Sequence, residues 1–376
     1  MMFELVVKVV FILAVIPAVM GIVNLILYRP LKKQLEQRLP KLSVLIPARN
    51  EEARISPVLQ SVLACKGVDF EVIVADDNST DRTAEIVQNF AIDDPRLRLI
   101  ETRPLPVGWL GKNNACHFLS TEARHSLAVF LDADVTLELD ALARIASEFA
   151  RRPHLKLLSG FPRQITGSFW EKTLIPLIHT VLLGYLPFPG VKFTNLPMFA
   201  TACGQLIAVE MKAYREVGGH ERIKDCIHDG VMLPRHFRTG GHKTDLMDIT
   251  DISATRMYET GPQVFSGLMK NAHEGMATPV GLPVWTTLLI GGHVLPPVIA
   301  LWAWATGVTG DIWMLAFAGA VLPWIMRFLM TAIFRQSWFG AVVHPFGVCV
   351  LVGLQWLAFF RWRSGRKVSW KDRDIG

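Results

Sequence analysis

Between Lys41 and about Asp251 the chain repeats one pattern: a short apolar run, a polar cluster, then a longer amphipathic stretch. Apolar runs of roughly four to eight residues bounded by polar clusters mark buried strands, and stretches with apolar positions three and four apart mark the helices that pack on them. The pattern predicts strands over Leu42–Ile46, Glu71–Ala75, Leu97–Glu101, Ala128–Leu131 and Leu155–Gly160, and helices over Ser56–Ala64, Thr80–Phe90, Lys112–Thr121 and Leu139–Arg151. Strict alternation of this kind predicts an α/β domain whose strands run parallel. No internal repeat or low-complexity segment interrupts it.

Outside this zone the polar clusters vanish. Leu5–Tyr28 is apolar over the roughly 20 residues that a helix needs to cross hydrocarbon. A cleaved signal peptide would look similar, but its apolar stretch would be unusually long here, and no small-residue cleavage site precedes Arg29. Arg29, Lys32, Lys33 and Arg38 follow at once, and basic residues beside a span stay on the cytoplasmic side, so the central domain is expected to face the cytoplasm. Beyond Gly275 come three more apolar blocks, Val280–Thr306, Ile312–Phe334 and Trp338–Trp362. Three further spans would leave the basic tail outside, against the same rule. One block is therefore expected to be re-entrant or interfacial, and Val280–Thr306, interrupted by Gly291-Gly292 and Pro296-Pro297, is the candidate. Ser168–Gly190 approaches span length but carries Glu171, Lys172, His179 and several prolines, which suits a helix lying on the bilayer or one buried in the core. The expected division is a membrane helix to residue 28, a basic linker over 29–40, a globular domain over 41–275, membrane segments over 276–362 and a basic tail over 363–376.

Composition agrees with this partition: 51% of the 376 residues are hydrophobic, more than a soluble domain needs. The net charge of +6 could suggest a nucleic-acid partner, but much of the excess lies beside the membrane ends, where it meets anionic lipid. No aromatic-interleaved basic stripe occurs in the middle domain, so no nucleic acid is expected. Five scattered cysteines, with no Cys-x-x-Cys, indicate neither a zinc site nor a disulfide framework.

Three polar clusters fall at the carboxyl ends of expected strands: Pro47-Ala48-Arg49-Asn50-Glu51-Glu52, Asp76-Asp77-Asn78-Ser79-Thr80-Asp81, and Asp132-Ala133-Asp134. In open α/β sheets that edge binds ligands. Asp132 and Asp134 leave two carboxylates at the edge, and such hard oxygen ligands suit Mg²⁺ or Mn²⁺ shared with a diphosphate; a solvated turn is the plainer reading of the tripeptide alone. The Asp76–Asp81 cluster also reads as helix capping, with Ser79 or Thr80 as the cap and Asp81 in the first turn. Capping does not need the preceding Asp pair, whose carboxylates could accept hydrogen bonds from a base or a ribose.

The strings Ile46-Pro47-Ala48-Arg49-Asn50-Glu51-Glu52, Asp76-Asp77-Asn78-Ser79-Thr80-Asp81-Arg82-Thr83 and Asp132-Ala133-Asp134, in this order, resemble glycosyltransferase family 2 over roughly Lys41–Glu274. The membrane-flanked layout resembles the carotenoid- and hopanoid-associated members. The resemblance implies a GT-A, Rossmann-like nucleotide-sugar-binding domain flanked by transmembrane helices, and an inverting transfer of one sugar from a UDP- or GDP-linked donor to a lipid or lipophilic acceptor at the membrane. It implies donor contacts at Pro47, Arg49, Glu51, Asp76, Asp77 and Asp132, with Asp132 and Asp134 serving Mg²⁺ or Mn²⁺. Gly111-Lys112-Asn113 resembles a Gly-Lys segment of the family, and Lys112 would offset donor phosphate charge; a surface helix start explains it equally. Asp229, in Ile227-His228-Asp229-Gly230-Val231, stands where the family places its general base. His228 replaces the usual Glu there, and could tune Asp229, orient the acceptor or cap the helix. Gln205, after Cys203-Gly204, falls on the acceptor side, as do Trp370 and Arg373 of a Trp-Lys-Asp-Arg tail that a basic membrane anchor explains as well. The Gln-x-x-Arg-Trp string of processive synthases is absent, which favours a single transfer.

Two other classes compete. A transport or scaffold protein with a nucleotide-binding domain would favour paired ionisable groups within its spans, where Arg327, His293 and His344 occur. A nucleotidyltransferase would share the nucleotide site but has no need of the membrane blocks.

Overall fold

The computed structural model describes residues 1–270, 272 and 275–364, and the backbone of 368–370 and 373–375. The globular part is built on seven strands, β1 (Leu42–Ala48), β2 (Phe70–Asp76), β3 (Leu97–Glu101), β4 (Leu127–Leu131), β6 (Leu155–Ser159), β8 (Leu206–Glu210) and β9 (Lys243–Leu246), in the order β3-β2-β1-β4-β8-β6-β9. A smaller sheet joins β5 (Val135–Leu137), β10 (Ser253–Thr255) and β7 (Arg163–Gln164). All five strands expected from the sequence form, each within about two residues of its expected ends.

The five strands expected from the sequence run parallel to one another, and β8, inserted antiparallel to both β4 and β6, makes the sheet mixed. Apolar periodicity carries burial but not strand direction. Both faces of the sheet are covered, as near-continuous apolar strands require. One face is packed by α2 (Ile55–Leu63), α3 (Thr83–Asp93) and α5 (Ala141–Arg151), the other by α4 (Gly111–Glu122), α9 (Met211–Glu216) and α10 (Asp229–Thr239). Within β1 and β2, Ala48 pairs with Asp76, and β4 lies on the other side of β1 in parallel register, so the loops after all three strands open on one edge.

The Ser168–Gly190 segment does not form one helix. It breaks at its prolines into α6 (Phe169–Leu174), α7 (Leu177–Tyr185) and α8 (Phe188–Phe193), and wraps the junction between the sheet and the apolar helices. Ser168 and Glu171 form a reciprocal capping box that fixes its start.

Among the described residues, four helical segments are long and apolar enough to cross a membrane: α1 (Met2–Leu27), the unit Gly281–Ala305, α14 (Asp311–Ile333) and α16 (His344–Arg363). Their packing against α1 separates them. Tyr28, at the domain end of α1, stacks near Phe188 and Phe334; Leu13 faces Gly291 and Gly292, Phe11 faces Gly319, and Phe3 meets Trp302 with ring centroids 4.5 Å apart. From Leu13 to Phe3 of α1 the unit Gly281–Ala305 therefore runs away from the domain, and α14 returns to it. The expected re-entrant course of Val280–Thr306 is not adopted. Instead α12 (Gly281–Leu289) and α13 (Leu295–Ala305) are joined without a break by a π-helical turn over Ile290–Val294.

The block that doubles back is the last one. After α14 the Trp324 indole donates to the Val342 carbonyl at 3.2 Å, so α15 (Trp338–Val342) has climbed back along α14 by about ten residues, roughly 15 Å of helix. His344 then contacts His293 at 3.0 Å, level with the middle of α1, and α16 descends past Thr286, bonded by the Trp356 indole at 3.0 Å, to place Arg361 beside Met269 of α11 (Gly261–Lys270). Both ends of the α15–α16 hairpin lie towards the domain. Buried ionisable groups tie these helices together: Arg327 bonds Thr331 and Gln336, Gln336 bonds His179 of α7, and His293 bridges His344 and Tyr185.

Candidate active site

The loops after β1 and β2 are zipped together. Arg49 donates to the Asp77 and Asn78 carbonyls at 2.7 and 3.2 Å, the Asn50 and Glu51 amides donate to Ser79 and Thr83, and the Glu52 amide donates to Asp81. Asn50 and Asn78 both take positive φ, 51° and 55°, which asparagine tolerates better than most residues. Ser79 and Thr80 are thus spent on the first loop. Neither caps α3, whose N-cap position is Arg82 with no side-chain cap bond; Asp81, just outside the helix, accepts from the Thr83 amide at 3.0 Å. Helix α3 accordingly starts at Thr83 rather than Thr80.

This arrangement leaves the Asp pair at the sheet edge. Asp76 accepts from the Ser79 amide through Oδ2 at 3.1 Å, while its buried Oδ1 has no hydrogen-bond partner among the described residues. Asp77 accepts from the Thr102 hydroxyl at 3.2 Å. Pro47 closes β1 beside Ala75, shaping the same edge.

A second half of the cleft is organised by Lys112, in the first turn of α4. Its ammonium lies 2.8 Å from Asp132 Oδ1, 3.0 Å from Asp229 Oδ2 and 3.0 Å from the Gly204 carbonyl oxygen. Burial works against the charge of Lys112, but the two carboxylates outweigh it and hold the ammonium protonated well above its ordinary range. Burial likewise works against the charge of Asp229, yet the neighbouring Lys112 keeps its carboxyl below the usual carboxylate range. Asp229 opens α10; its Oδ1 accepts from the Gly230 amide at 2.6 Å. Its neighbour Gly204 is required: a Cβ there would collide with the Asp229 carboxylate. His228 is the residue before α10, and its carbonyl accepts from the Met232 amide at 3.0 Å, so its backbone takes the cap position.

Asp134 completes an acidic corner. Its Oδ1 is buried without a hydrogen-bond partner among the described residues. Burial first, and then the charges of Asp132 and Glu51, push its carboxyl up to about 7. Carboxylates crowded in this way repel one another unless a proton or a cation lies between them. Among the described residues no three His, Cys, Asp or Glu side chains form a ready metal cage, so a cation here needs oxygens from elsewhere.

The structure therefore brings Glu51, Lys112, Asp132, Asp134 and Asp229 into one cleft, with Arg49, Asp76 and Asp77 along its edge. Gln205 is only partly where it was expected. Its carbonyl accepts from the Asp132 amide at 3.0 Å, but its side chain is buried and accepts from Gln164 at 3.2 Å. Trp370 and Arg373 face each other across a strand pair, β11 (Val368–Trp370) with β12 (Arg373–Ile375), and their side chains lie outside the described residues. Sequence reasoning missed Asn113, whose amide donates to the Ile223 and Cys226 carbonyls at 2.7 and 2.8 Å and so fixes the approach to Asp229. Its adjacency to Lys112 was the available signal. Thr102, the partner of Asp77, carried none.

Residues 43–217 match glycosyl transferase family 2. The chain is 28% identical over 249 residues to the 4,4'-diaponeurosporenoate glycosyltransferase of Staphylococcus aureus, a match that takes in 64% of this chain and 62% of that relative's length. Its fold is similar to that of a mannosyltransferase from Pyrobaculum calidifontis, solved with GDP-mannose and Mn²⁺, at a TM-score of 0.56 and 16% identity, covering 96% of this chain and 98% of the other. With the edge-on loops, the acidic corner and the mixed sheet, these likenesses make residues 43–217 a glycosyltransferase family 2 domain, on a GT-A-type fold flanked by apolar helices.

Proposed function

We propose that the chain transfers a single sugar, with inversion, from a UDP- or GDP-linked donor to a lipid or lipophilic acceptor at the cytoplasmic face of a membrane. The observation that carries this reading is the Lys112 ammonium held between Asp132 and Asp229, which sets a diphosphate-compatible cation beside a buried carboxylate that can act as base. The donor chemistry is supported by the Pyrobaculum neighbour, and the lipophilic acceptor by the carotenoid substrate named for the Staphylococcus relative.

In this reading Asp76 and Asp77 accept hydrogen bonds from the nucleoside, and Arg49 and Pro47 hold the loop that shapes its pocket. Lys112 offsets diphosphate charge. The orphaned oxygen of Asp134 and the mutual repulsion with Asp132 and Glu51 suit a hard divalent cation, Mg²⁺ or Mn²⁺, held by Asp134 and Asp132 with donor oxygens completing its shell. Such a cation, when bound, stabilises negative charge on the departing diphosphate. Asp229 takes the acceptor hydroxyl proton as the oxygen attacks the anomeric carbon; the bond from that carbon to the diphosphate breaks on the opposite side, and the nucleoside diphosphate leaves.

Charge and packing together support the cytoplasmic face. Arg29, Lys32 and Lys33 leave the domain end of α1, and Arg361 and Arg363 end α16 where Arg361 meets Met269 of α11, so with α15–α16 re-entrant both basic groups share the domain's side. Residues 41–275 then act as the cytoplasmic catalytic unit between a single N-terminal span and the C-terminal membrane segments.

The test is release of nucleoside diphosphate by the purified protein from a panel of nucleotide sugars, with Mn²⁺ or Mg²⁺ and membrane lipid extract. Metal-dependent release that is lost in Asp134→Ala and Asp229→Asn supports the reading. Nucleotide binding with no release from any donor would instead favour a non-catalytic nucleotide-binding membrane protein.

A further inference from the structure

Arg327 of α14 is the largest fully buried side chain among the described residues, 1% exposed, and it lies within the apolar helices. A guanidinium keeps its proton in proteins, and a charge taken out of water is costly unless an opposite charge goes with it. The chain supplies none. Nη1 donates to the Thr331 hydroxyl at 3.1 Å and to the Gln336 amide oxygen, both neutral, and Arg327 forms no ion pair among the described residues. The acidic side chains of the neighbouring helices are committed or distant. Glu4 pairs with Lys8 at 2.5 Å, Glu171 is taken by Arg256, and Asp311 opens α14 about 24 Å along the helix from Arg327. The histidines beside it, His179 and His344, carry no negative charge.

Beside Arg327 the packing of α1, α7, the π-helical turn and α14 leaves a cavity of about 10 Å³. Arg327 and Thr180 of α7 both line it, and the Arg327 Nε and Nη2 groups and the Thr180 hydroxyl are buried with no hydrogen-bond partner among the described residues. The rest of the lining is apolar except for His293, whose two ring nitrogens are spent on Tyr185 and His344. We propose that this cavity is a binding site for one monatomic anion, chloride, held by the Arg327 guanidinium and the Thr180 hydroxyl. A permanent positive charge with donors beside it selects an anion over a cation. The volume admits one small species and excludes a phosphate, a carboxylate or a lipid headgroup. A single water would accept the hydrogen bonds but would leave the charge of Arg327 unbalanced. Through Gln336, which bonds both Arg327 and His179, the same guanidinium ties α14 and α7 at the point where the chain turns back into α15. Anion binding therefore stabilises the packing of the α15–α16 hairpin. The inference is independent of the sugar-transfer reading.

The experiment is a chloride titration of the thermal melt of the detergent-purified full chain, with sodium chloride replacing sodium gluconate at constant ionic strength. A ligand that binds only the folded state raises Tm as it fills its site. The native protein is expected to melt about 2–4 °C higher in saturating chloride than in gluconate, along a curve that saturates. Arg327→Met removes the charge and is expected to remove the chloride dependence. Thr180→Val keeps the shape of the side chain and removes one donor, so the chloride midpoint is expected to move about ten-fold higher. Equal Tm values of the native protein in chloride and gluconate would overturn the anion site and leave water as the occupant. A chloride dependence that survives Arg327→Met unchanged would place binding elsewhere and overturn it equally. Should Arg327→Met not fold, Thr180→Val decides the question: a midpoint unmoved from the native one overturns the proposal. None of these melts contains nucleotide or sugar, so their outcome leaves the sugar-transfer reading untouched.

Discussion

Asp229 Oδ2 lies 3.0 Å from the ammonium of Lys112, a residue 117 positions earlier in the chain and on a different helix, α4. That contact joins the acceptor half of the site to the donor half. Asp229→Asn keeps the shape of the side chain and removes its basicity, so kcat is expected to fall by about 10²- to 10⁴-fold, the usual span for loss of a positioned general base. Donor KM should change far less. Steady-state kinetics with the cognate nucleotide sugar separates the two, and a loss confined to KM would remove Asp229 from the role of base.

Gly204→Ala tests the same residue from its other side. A methyl group there would strike the Asp229 carboxylate, so activity should drop while the melting temperature changes little, because the bend itself lies at the cleft and not in the core. An active Gly204→Ala protein would mean that Asp229 need not hold this position.

The acidic corner gives a pH dependence. Asp134, pushed up to about 7, is largely protonated in the cation-free protein below that pH, and a cation must displace the proton. Binding of Mn²⁺ with UDP or GDP is therefore expected to weaken as pH falls from 8 to 6, by up to about ten-fold per pH unit once well below 7, with close to one proton released per cation. Calorimetry in buffers of different ionisation enthalpy reads that proton directly. Asp134→Asn should abolish most of the binding and with it the pH dependence.

Glu171 makes a separate prediction about stability. It is almost fully buried; burial alone would raise its carboxyl, but the Arg256 guanidinium at 3.0 Å, Ser168 and the Gly167 and Ser168 amides outweigh that and hold it at about 2. Because the folded value is depressed, its contribution is present above the unfolded value of about 4.3 and is lost as pH falls towards 2. Arg256→Met leaves the buried carboxylate short of one donor pair and is expected to cost about 1–3 kcal/mol. Thermal melts in detergent at neutral pH and at pH 3 should show the difference between native and variant narrowing in acid.

Topology is checkable by labelling. With Cys226 and Cys349 replaced by Ser, Thr309→Cys, between α13 and α14, should react with a membrane-impermeant maleimide on intact cells. Ser364→Cys, after α16, should react only after lysis. Surface labelling at both positions would make α16 a full span and would refute the re-entrant hairpin.

Much of this protein was legible in its sequence. The alternation of apolar runs and polar clusters located the strands, and the polar clusters at their ends named Asp76, Asp77, Asp132 and Asp134, because burial periodicity and strand-end chemistry are local properties. Resemblance to glycosyltransferase family 2 added Lys112 and Asp229. Direction and depth were not legible. Nothing in Leu206–Glu210 says that β8 runs antiparallel between β4 and β6, since an apolar strand buries equally well either way. Likewise the glycines and prolines of Gly291–Pro297 looked like a break in a span, yet packing against Leu13 turns them into a continuous π-containing helix, while the unremarkable apolar block from Trp338 onward is the one that doubles back. Hydropathy reports what a segment can be buried in; which of several equally apolar segments crosses the bilayer depends on the partners it packs against. The contact of Lys112 with Asp132 and Asp229 is of the same kind: three residues readable one by one from the chain, whose mutual geometry exists only because α4, β4 and α10 meet at one edge of the sheet.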